Sequence, residues 1–185
     1  MLRILLTPTT VLCLGVFAQA PAVAATTGHF GAFLGQKALD NSDWGDLDRH
    51  VELGVLADFR ETTWPISIAI GFSGSADVRE TPTGDFTAAT AETLAGLRKL
   101  FAQGSRVQPY LGGGLALIEA ETETPSVTHN DSSLGFWVNA GVYFHLTDHF
   151  SLGIDYRHSQ AEVTLSRTDV EAGGDHLGLT AGYHW

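Results

Sequence analysis

The run Arg157-His158-Ser159-Gln160 sets a base beside a nucleophile, the raw material of acyl transfer. A serine is activated only by a base within hydrogen-bond reach, and adjacent residues of a strand point to opposite faces. His158 and Ser159 therefore pair only if the chain bulges there. Eight histidines offer a second chemistry, metal ligation. His145, His149 and His184, with His29 across a closing seam, would gather near one end of a strand assembly. None of them has a tight ligand spacing, so no metal is expected. The 21 acids are a third resource, because carboxylate oxygens suit calcium and magnesium. No stretch has the alternating acids and central glycine of an EF-hand loop, so solvated loop acids are the simpler reading. No catalytic residue and no cofactor is assigned.

What would position such groups is a set of strands. In 64–74, Ile66, Ile68, Ile70 and Phe72 share one face, with Ser67, Ala69 and Gly71 opposite. In 133–146 the apolar face is Phe136, Val138, Ala140, Val142, Phe144 and Leu146. That is a period of two, not of 3.6. The same reading gives strands near 27–37, 49–59, 64–74, 88–101, 107–120, 133–146, 150–165 and 175–185, with no helix needed. Short connections (60–63, 102–106, 147–149) alternate with long, acidic ones (38–48, 75–87, 121–132, 166–174). An up-and-down meander with its long loops at one end produces that order. Fourteen of the 21 acids fall in or beside the long connections, so negative charge collects at one rim.

Residues 1–25 have a basic start at Arg3, an apolar stretch and small residues at Ala22-Val23-Ala24 or Val23-Ala24-Ala25. They read as a secretory signal peptide, leaving 26–185 as one domain. Arg3 is the only charged residue of that segment, so its loss moves the formal charge from −11 to −12. Such acidity speaks against nucleic acid. The only cysteine, Cys13, goes with the signal, so no disulfide is expected. Beyond residue 25 no apolar run approaches the length of a transmembrane helix.

A barrel of these strands has either an apolar inside, like a soluble carrier, or an apolar outside, like a membrane protein. The second face carries Gly135, Gly141, Gly153, Gly178 and Gly182, which would weaken strands exposed to water. Inside a narrow barrel the same glycines make room for large polar groups. The expected fold class is therefore all-β: an eight-stranded antiparallel up-and-down transmembrane β-barrel. Its lumen would hold an ion network of Glu52, Asp58, Glu92, Arg98, Asp155 and Arg157. Trp64, Tyr183 and Trp185 suit an interfacial aromatic girdle, while Trp137 points inward.

The run ETLAGLRKLFAQGSRVQPYLGGGLALIEAE then resembles the centre of the small outer-membrane β-barrel proteins, the group of the outer-membrane protein A transmembrane domain and the outer-membrane protein X-like barrels. There Gly-x-Arg, a turn and Pro-Tyr-x-Gly-x-Gly follow one another; here those positions are Gly96, Arg98, Pro109, Tyr110, Gly112 and Gly114. The resemblance covers the whole chain after the signal. It implies that Leu177, Leu179, Ala181, Tyr183 and Trp185 form the terminal signal read by the barrel-assembly machinery. It also implies a place in the bacterial outer membrane, among lipid and lipopolysaccharide, with a structural or surface-interaction role and a possible external ligand of the loops; closure, which leaves no free edge, makes a monomer the default. A narrow small-solute channel is the alternative. Lipid A deacylases of similar size use a motif resembling His-x-Ser-Asn, which the adjacent His158-Ser159 does not match.

Overall fold

The computed structural model describes residues 26–81, 84–123, 128–165 and 168–185, apart from the side chains of 79–86; the signal expected at 1–25 lies outside these residues. Ten strands follow one another: β1 (Thr26–Ala38), β2 (Arg49–Glu61), β3 (Ser67–Thr81), β4 (Gly84–Leu100), β5 (Val107–Glu123), β6 (Thr128–His145), β7 (Phe150–Gln160), β8 (Glu162–Leu165), β9 (Thr168–Glu171) and β10 (Gly174–His184). Eight close into an antiparallel barrel in the order β1-β10-β7-β6-β5-β4-β3-β2, and β8 pairs with β9 as a separate hairpin. The seam joins the first strand to the last, with Phe30 opposite Tyr183 and Gly35 opposite Gly178. Trp185 N–H donates to Gly28 O at 3.1 Å and Gly28 N–H to Trp185 O at 3.2 Å, which finishes the closure.

Alternation decides which way each side chain points. On β7, Leu152, Ile154 and Tyr156 are exposed while Ser151, Asp155 and Arg157 are buried. The exposed set forms a continuous belt round the wall: Phe30 and Leu34, then Leu53 and Val55, Ile70 and Phe72, Leu97, Leu115 and Leu117, Leu134 and Val138, Ile154, Leu177 and Leu179. A soluble monomer rarely exposes apolar patches beyond a few hundred Å². In a bilayer the belt is covered, and each such side chain withdrawn from water contributes about 1.5–3 kcal/mol. Closure also leaves no unpaired strand edge in the hydrocarbon. The barrel is a transmembrane one, with its short turns at the end that holds Thr26 and Trp185.

At the other end the architecture departs from the pattern read above. Segments 75–87 and 121–132 are mostly strand, because β3 runs to Thr81, β4 starts at Gly84, β5 runs to Glu123 and β6 starts at Thr128. Above the belt both faces of a hairpin meet water, so its composition resembles a loop while the ladder continues. Segment 38–48 contains a helical turn, α1 (Asn41–Trp44), and a 3-10 turn at Gly45–Leu47. Asp40 caps α1: its Oδ1 accepts from Ser42 N–H at 2.8 Å and from the Ser42 hydroxyl at 2.7 Å. Those bonds hold the Asp40 carboxyl below its ordinary range. The strand expected over 150–165 breaks at Ala161, whose N–H donates to Glu171 Oε1 at 2.6 Å and whose carbonyl accepts from Ala172 N–H. That break turns β8 and β9 inward across the mouth.

Candidate functional site

The most organised chemistry lies in the lumen, which holds two polar layers under an apolar lid. In the lower layer Arg98 Nη1 donates to Asp58 Oδ2 at 2.9 Å and to Tyr143 Oη at 2.7 Å. Tyr110 and Asn139 both donate to Asp155 Oδ2, at 2.6 and 2.8 Å. The Arg98 guanidinium sits 4.5 Å from the Tyr110 ring centroid, which joins the two halves of the layer. Gly141 stands opposite Tyr110 in the ladder and leaves the tyrosine its space, since a Cβ there would fall on the phenol oxygen.

The upper layer is denser. Arg157 Nη2 donates to Glu52 Oε1 at 2.5 Å and to Ser73 Oγ at 3.1 Å. Lys37 Nζ donates to Glu92 Oε1 and Thr90 Oγ1, each at 2.8 Å, and to Ala172 O at 2.7 Å. Its two cations and two glutamates balance, as charges withdrawn from water must. Arg157, Lys37, Glu52, Glu92 and His176 are each at most 1 % exposed. Phe33 is equally buried and lies with its ring 5.8 Å from the Arg157 guanidinium carbon.

Ser159 lies in this layer with its Oγ 3.0 Å from His176 Nε2, while His176 Nδ1 donates to Glu52 Oε2 at 2.8 Å. This is the order of a nucleophile, base and acid. Yet Ser159 also donates to Glu92 Oε1 at 2.9 Å, and neither residue is more than 1 % exposed. The hydroxyl proton is engaged by a carboxylate, and a substrate has no room beside it. His158 points the other way, onto the outer wall, where its Nδ1 lies 2.9 Å from Asp175 Oδ1 and Tyr156 donates to the same oxygen at 2.7 Å.

Above the upper layer the β8–β9 hairpin and α1 close the outer mouth. Trp44, Leu39, Val163, Leu165 and Ala172 are buried in one cluster with Ile118, Ala120 and Trp137 from the wall, and Leu47 and Val170 pack against it. Trp44 Nε1 donates to Glu171 O at 2.7 Å, and Glu171 N–H donates to Asp43 Oδ2 at 2.9 Å. Asp131 Oδ2 accepts from Thr164 N–H at 2.7 Å, which ties the hairpin to the rim and lowers the Asp131 pKa. The solvent side of the lid is acidic, with Asp40, Asp43, Asp46, Glu162 and Asp169 exposed.

The inner mouth is open. It forms a cavity of about 240 Å³ lined by His29, Arg60, Gln108, Tyr143, His145 and His184 among others. The His145 and His184 rings meet at a tilt with centroids 4.0 Å apart, and His29 stacks on Tyr143 at 4.1 Å. Among the described residues no three histidines, cysteines or acids converge in a metal-binding group. All six residues expected in the lumen lie there, in two layers. Lys37, His50, His176 and the hydroxyls of Ser73, Ser75, Thr90 and Ser159 complete them, and single-residue charge reading missed these. Of the terminal alternation, Leu177, Leu179, Tyr183 and Trp185 face outward on the belt.

A family model described as the outer membrane protein beta-barrel domain matches residues 9–185. No curated protein matches. Among solved structures, the chain is similar to OprG from Pseudomonas aeruginosa, with a TM-score of 0.67 at 12% identity over 88% of this chain and 97% of that one. It is also similar to Neisserial surface protein A, with a TM-score of 0.59 at 20% identity over 86% and 95% of the two chains. The attachment invasion locus protein Ail of Yersinia pestis, in complex with a heparin analogue, gives a TM-score of 0.56 at 15% identity over 86% and 97%. At such identities the likeness is one of fold. The matched family model, the closed barrel and the apolar belt agree: this chain belongs to the outer membrane protein β-barrel domain family and is a bacterial outer-membrane protein.

Proposed function

We propose that the protein acts through its outer face and not through a pore, as a closed scaffold that presents an acidic surface outside the cell. The sealed lumen carries this reading: an apolar lid covers a charge-balanced layer whose side chains are almost without solvent contact. The sign of the surface narrows the partner. Ail was solved with sucrose octasulfate, a polyanion; a face bearing Asp43, Asp46, Glu123 and Asp169 would repel such a ligand and attract a cationic one. Outer-leaflet lipopolysaccharide and its divalent cations would surround the same rim. In this reading residues 1–25 direct export. The terminal alternation of Leu177, Leu179, Ala181, Tyr183 and Trp185 addresses the chain to the barrel-assembly machinery, and the folded barrel works as a monomer.

Two measurements test the proposal. In planar bilayers the refolded protein should give no discrete single-channel current, and a reproducible step would favour the small-solute channel instead. In nanodiscs it should bind a polylysine peptide and ignore heparin, with binding falling steeply as salt rises. Heparin binding would overturn the charge argument. The Ser159–His176–Glu52 series gives a lipid A hydrolase one observation in its favour, and an unchanged lipid A mass profile on expression would dismiss it.

A further inference from the structure

The inner mouth keeps a cation without an anion. The buried lysines and arginines among the described residues are Lys37, Arg60, Arg98 and Arg157. Lys37 pairs with Glu92, Arg98 with Asp58 and Arg157 with Glu52. Arg60 is only 9 % exposed and forms no ion pair with any described residue. A charge taken out of water without a partner is costly, so this arginine asks for a reason.

Part of the reason is architectural. Arg60 Nη1 donates to Thr62 O at 3.1 Å and to Trp64 O at 2.8 Å in the β2–β3 turn, and Nη2 donates to Gln103 Oε1 at 2.8 Å in the β4–β5 turn. These dipoles fix the guanidinium in place but leave its unit charge uncancelled. Its Nε has no acceptor among the described residues, and Arg60 lines the 240 Å³ cavity of the inner mouth. Two more nitrogens of the same lining are unpartnered, His29 Nδ1 and His184 Nδ1, on residues that stand opposite one another across the barrel seam. The acid of that lining, Asp58, is already engaged by Arg98 at 2.9 Å and by Tyr143 at 3.1 Å.

We propose that the inner mouth binds a small organic carboxylate from the periplasmic side, the side that short turns mark in such barrels. Arg60 Nε is its charged donor, and the His29 and His184 imidazoles and the Gln108 amide supply further N–H groups. A guanidinium–carboxylate hydrogen bond is roughly twice as strong as a neutral one. Asp58 penalises every negative charge brought beside it, which favours a singly charged carboxylate over a doubly charged phosphate. Leu100, Tyr143 and Trp185 add apolar wall that suits a short carbon chain. This site lies at the opposite end from the acidic outer face and does not depend on what that face binds.

The test is nuclear magnetic resonance of the refolded protein in nanodiscs, with butyrate, butylammonium and inorganic phosphate as probes. Butyrate should shift the Arg60 Nε–H signal saturably, butylammonium should leave it in place, and phosphate should bind more weakly than butyrate. Arg60→Gln, followed at the His29 and His184 rings, should weaken butyrate binding about tenfold, the scale of one charge-assisted hydrogen bond. Gln108→Glu puts a competing carboxylate in the mouth while keeping the Arg60 bonds to both turns, and should weaken it likewise. No saturable shift with butyrate, an equal response to butylammonium, or an affinity that survives both substitutions overturns the proposal. Tighter binding of phosphate overturns the choice of a carboxylate. Heat-modifiable gel mobility shows whether each variant folds; if Arg60→Gln does not, for want of its bonds to the two turns, Gln108→Glu alone decides.

Discussion

Replacing Arg157 with methionine keeps much of the side-chain volume and removes one of the two cations of the upper layer. At an effective dielectric constant of about 20, unit charges 2.8 Å apart attract by about 6 kcal/mol; Lys37 and Glu92 have that separation, and Arg157 lies closer still to Glu52. Much of this attraction is offset by the cost of taking both ions out of water. The variant, however, keeps the cost and loses the partner. Glu52 would stay buried with His176 and Ser73, and Glu92 would lose its second cation, 3.6 Å away. Removing one member of a buried pair costs about 3–5 kcal/mol. The assay is urea unfolding in phospholipid vesicles, followed by tryptophan fluorescence and repeated with the Arg157→Met, Glu52→Gln double variant. The second change removes the stranded charge and should restore about 2 kcal/mol. A loss below about 1 kcal/mol, the value of a solvated pair, would refute the reasoning, because it would mean that water fills the lumen.

Three further outcomes follow from the same geometry. Gly141→Ala drives a methyl into the Tyr110 phenol and should cost about 1–3 kcal/mol in the same assay, with loss of the Tyr110–Asp155 bond. Leu179→Arg places a charge on the belt beside Leu34 and Ile154 and should cost about 2–4 kcal/mol in a bilayer; a change near zero would put this face in water. Acid should loosen the lid through Asp131. Its pKa is lowered in the folded state, so the Thr164 contact stabilises fully above the ordinary value of 3.8 and fades as pH falls through the lower, folded value. Hydrogen exchange at Thr164 should accordingly stay slow across the neutral range and speed up only in strong acid.

The barrel was legible because its strands obey one rule along their length. Leu152, Ile154 and Tyr156 face lipid while Ser151, Asp155 and Arg157 face the lumen, and a period of two needs no tertiary information. Where the rule lapses, reading failed. The helical turn at Asn41–Trp44 has a capping signature in Asp40-Asn41-Ser42-Asp43, yet so short a turn has no periodicity to reveal it. Lys37 and His176 were missed for another reason. Each follows an outward residue on its strand and would join the inward set by alternation, but their partners Glu92 and Glu52 lie on other strands, and the acid that adjoins His176 in sequence, Asp175, faces outward. The Ser159–His176 contact is the sharpest case. Adjacent His158 is the wrong partner, and the right one lies 17 residues away on β10. Register explains it: Gly174 stands opposite Ser159 and His176 opposite Arg157, so serine and histidine are diagonal neighbours on one face.

The two seals of the lumen are different in kind, and they are joined. The lid excludes water by apolar contact, whereas the layer beneath holds charges that, once out of water, depend on one another for partners. Lys37 Nζ donates to Ala172 O beside β9, and His50 Nε2 donates to Leu47 O in the turn that follows α1. His50 in turn contacts Ser75, which contacts Thr90 and so returns to Lys37. Lifting the lid therefore removes a hydrogen-bond acceptor from a buried ammonium as well as exposing the apolar cluster. A buried donor without its partner costs about 1–3 kcal/mol, more when it is charged. The acidic outer face is thus fixed from below by the network that closes the lumen, which supports the surface role proposed above over a gated channel.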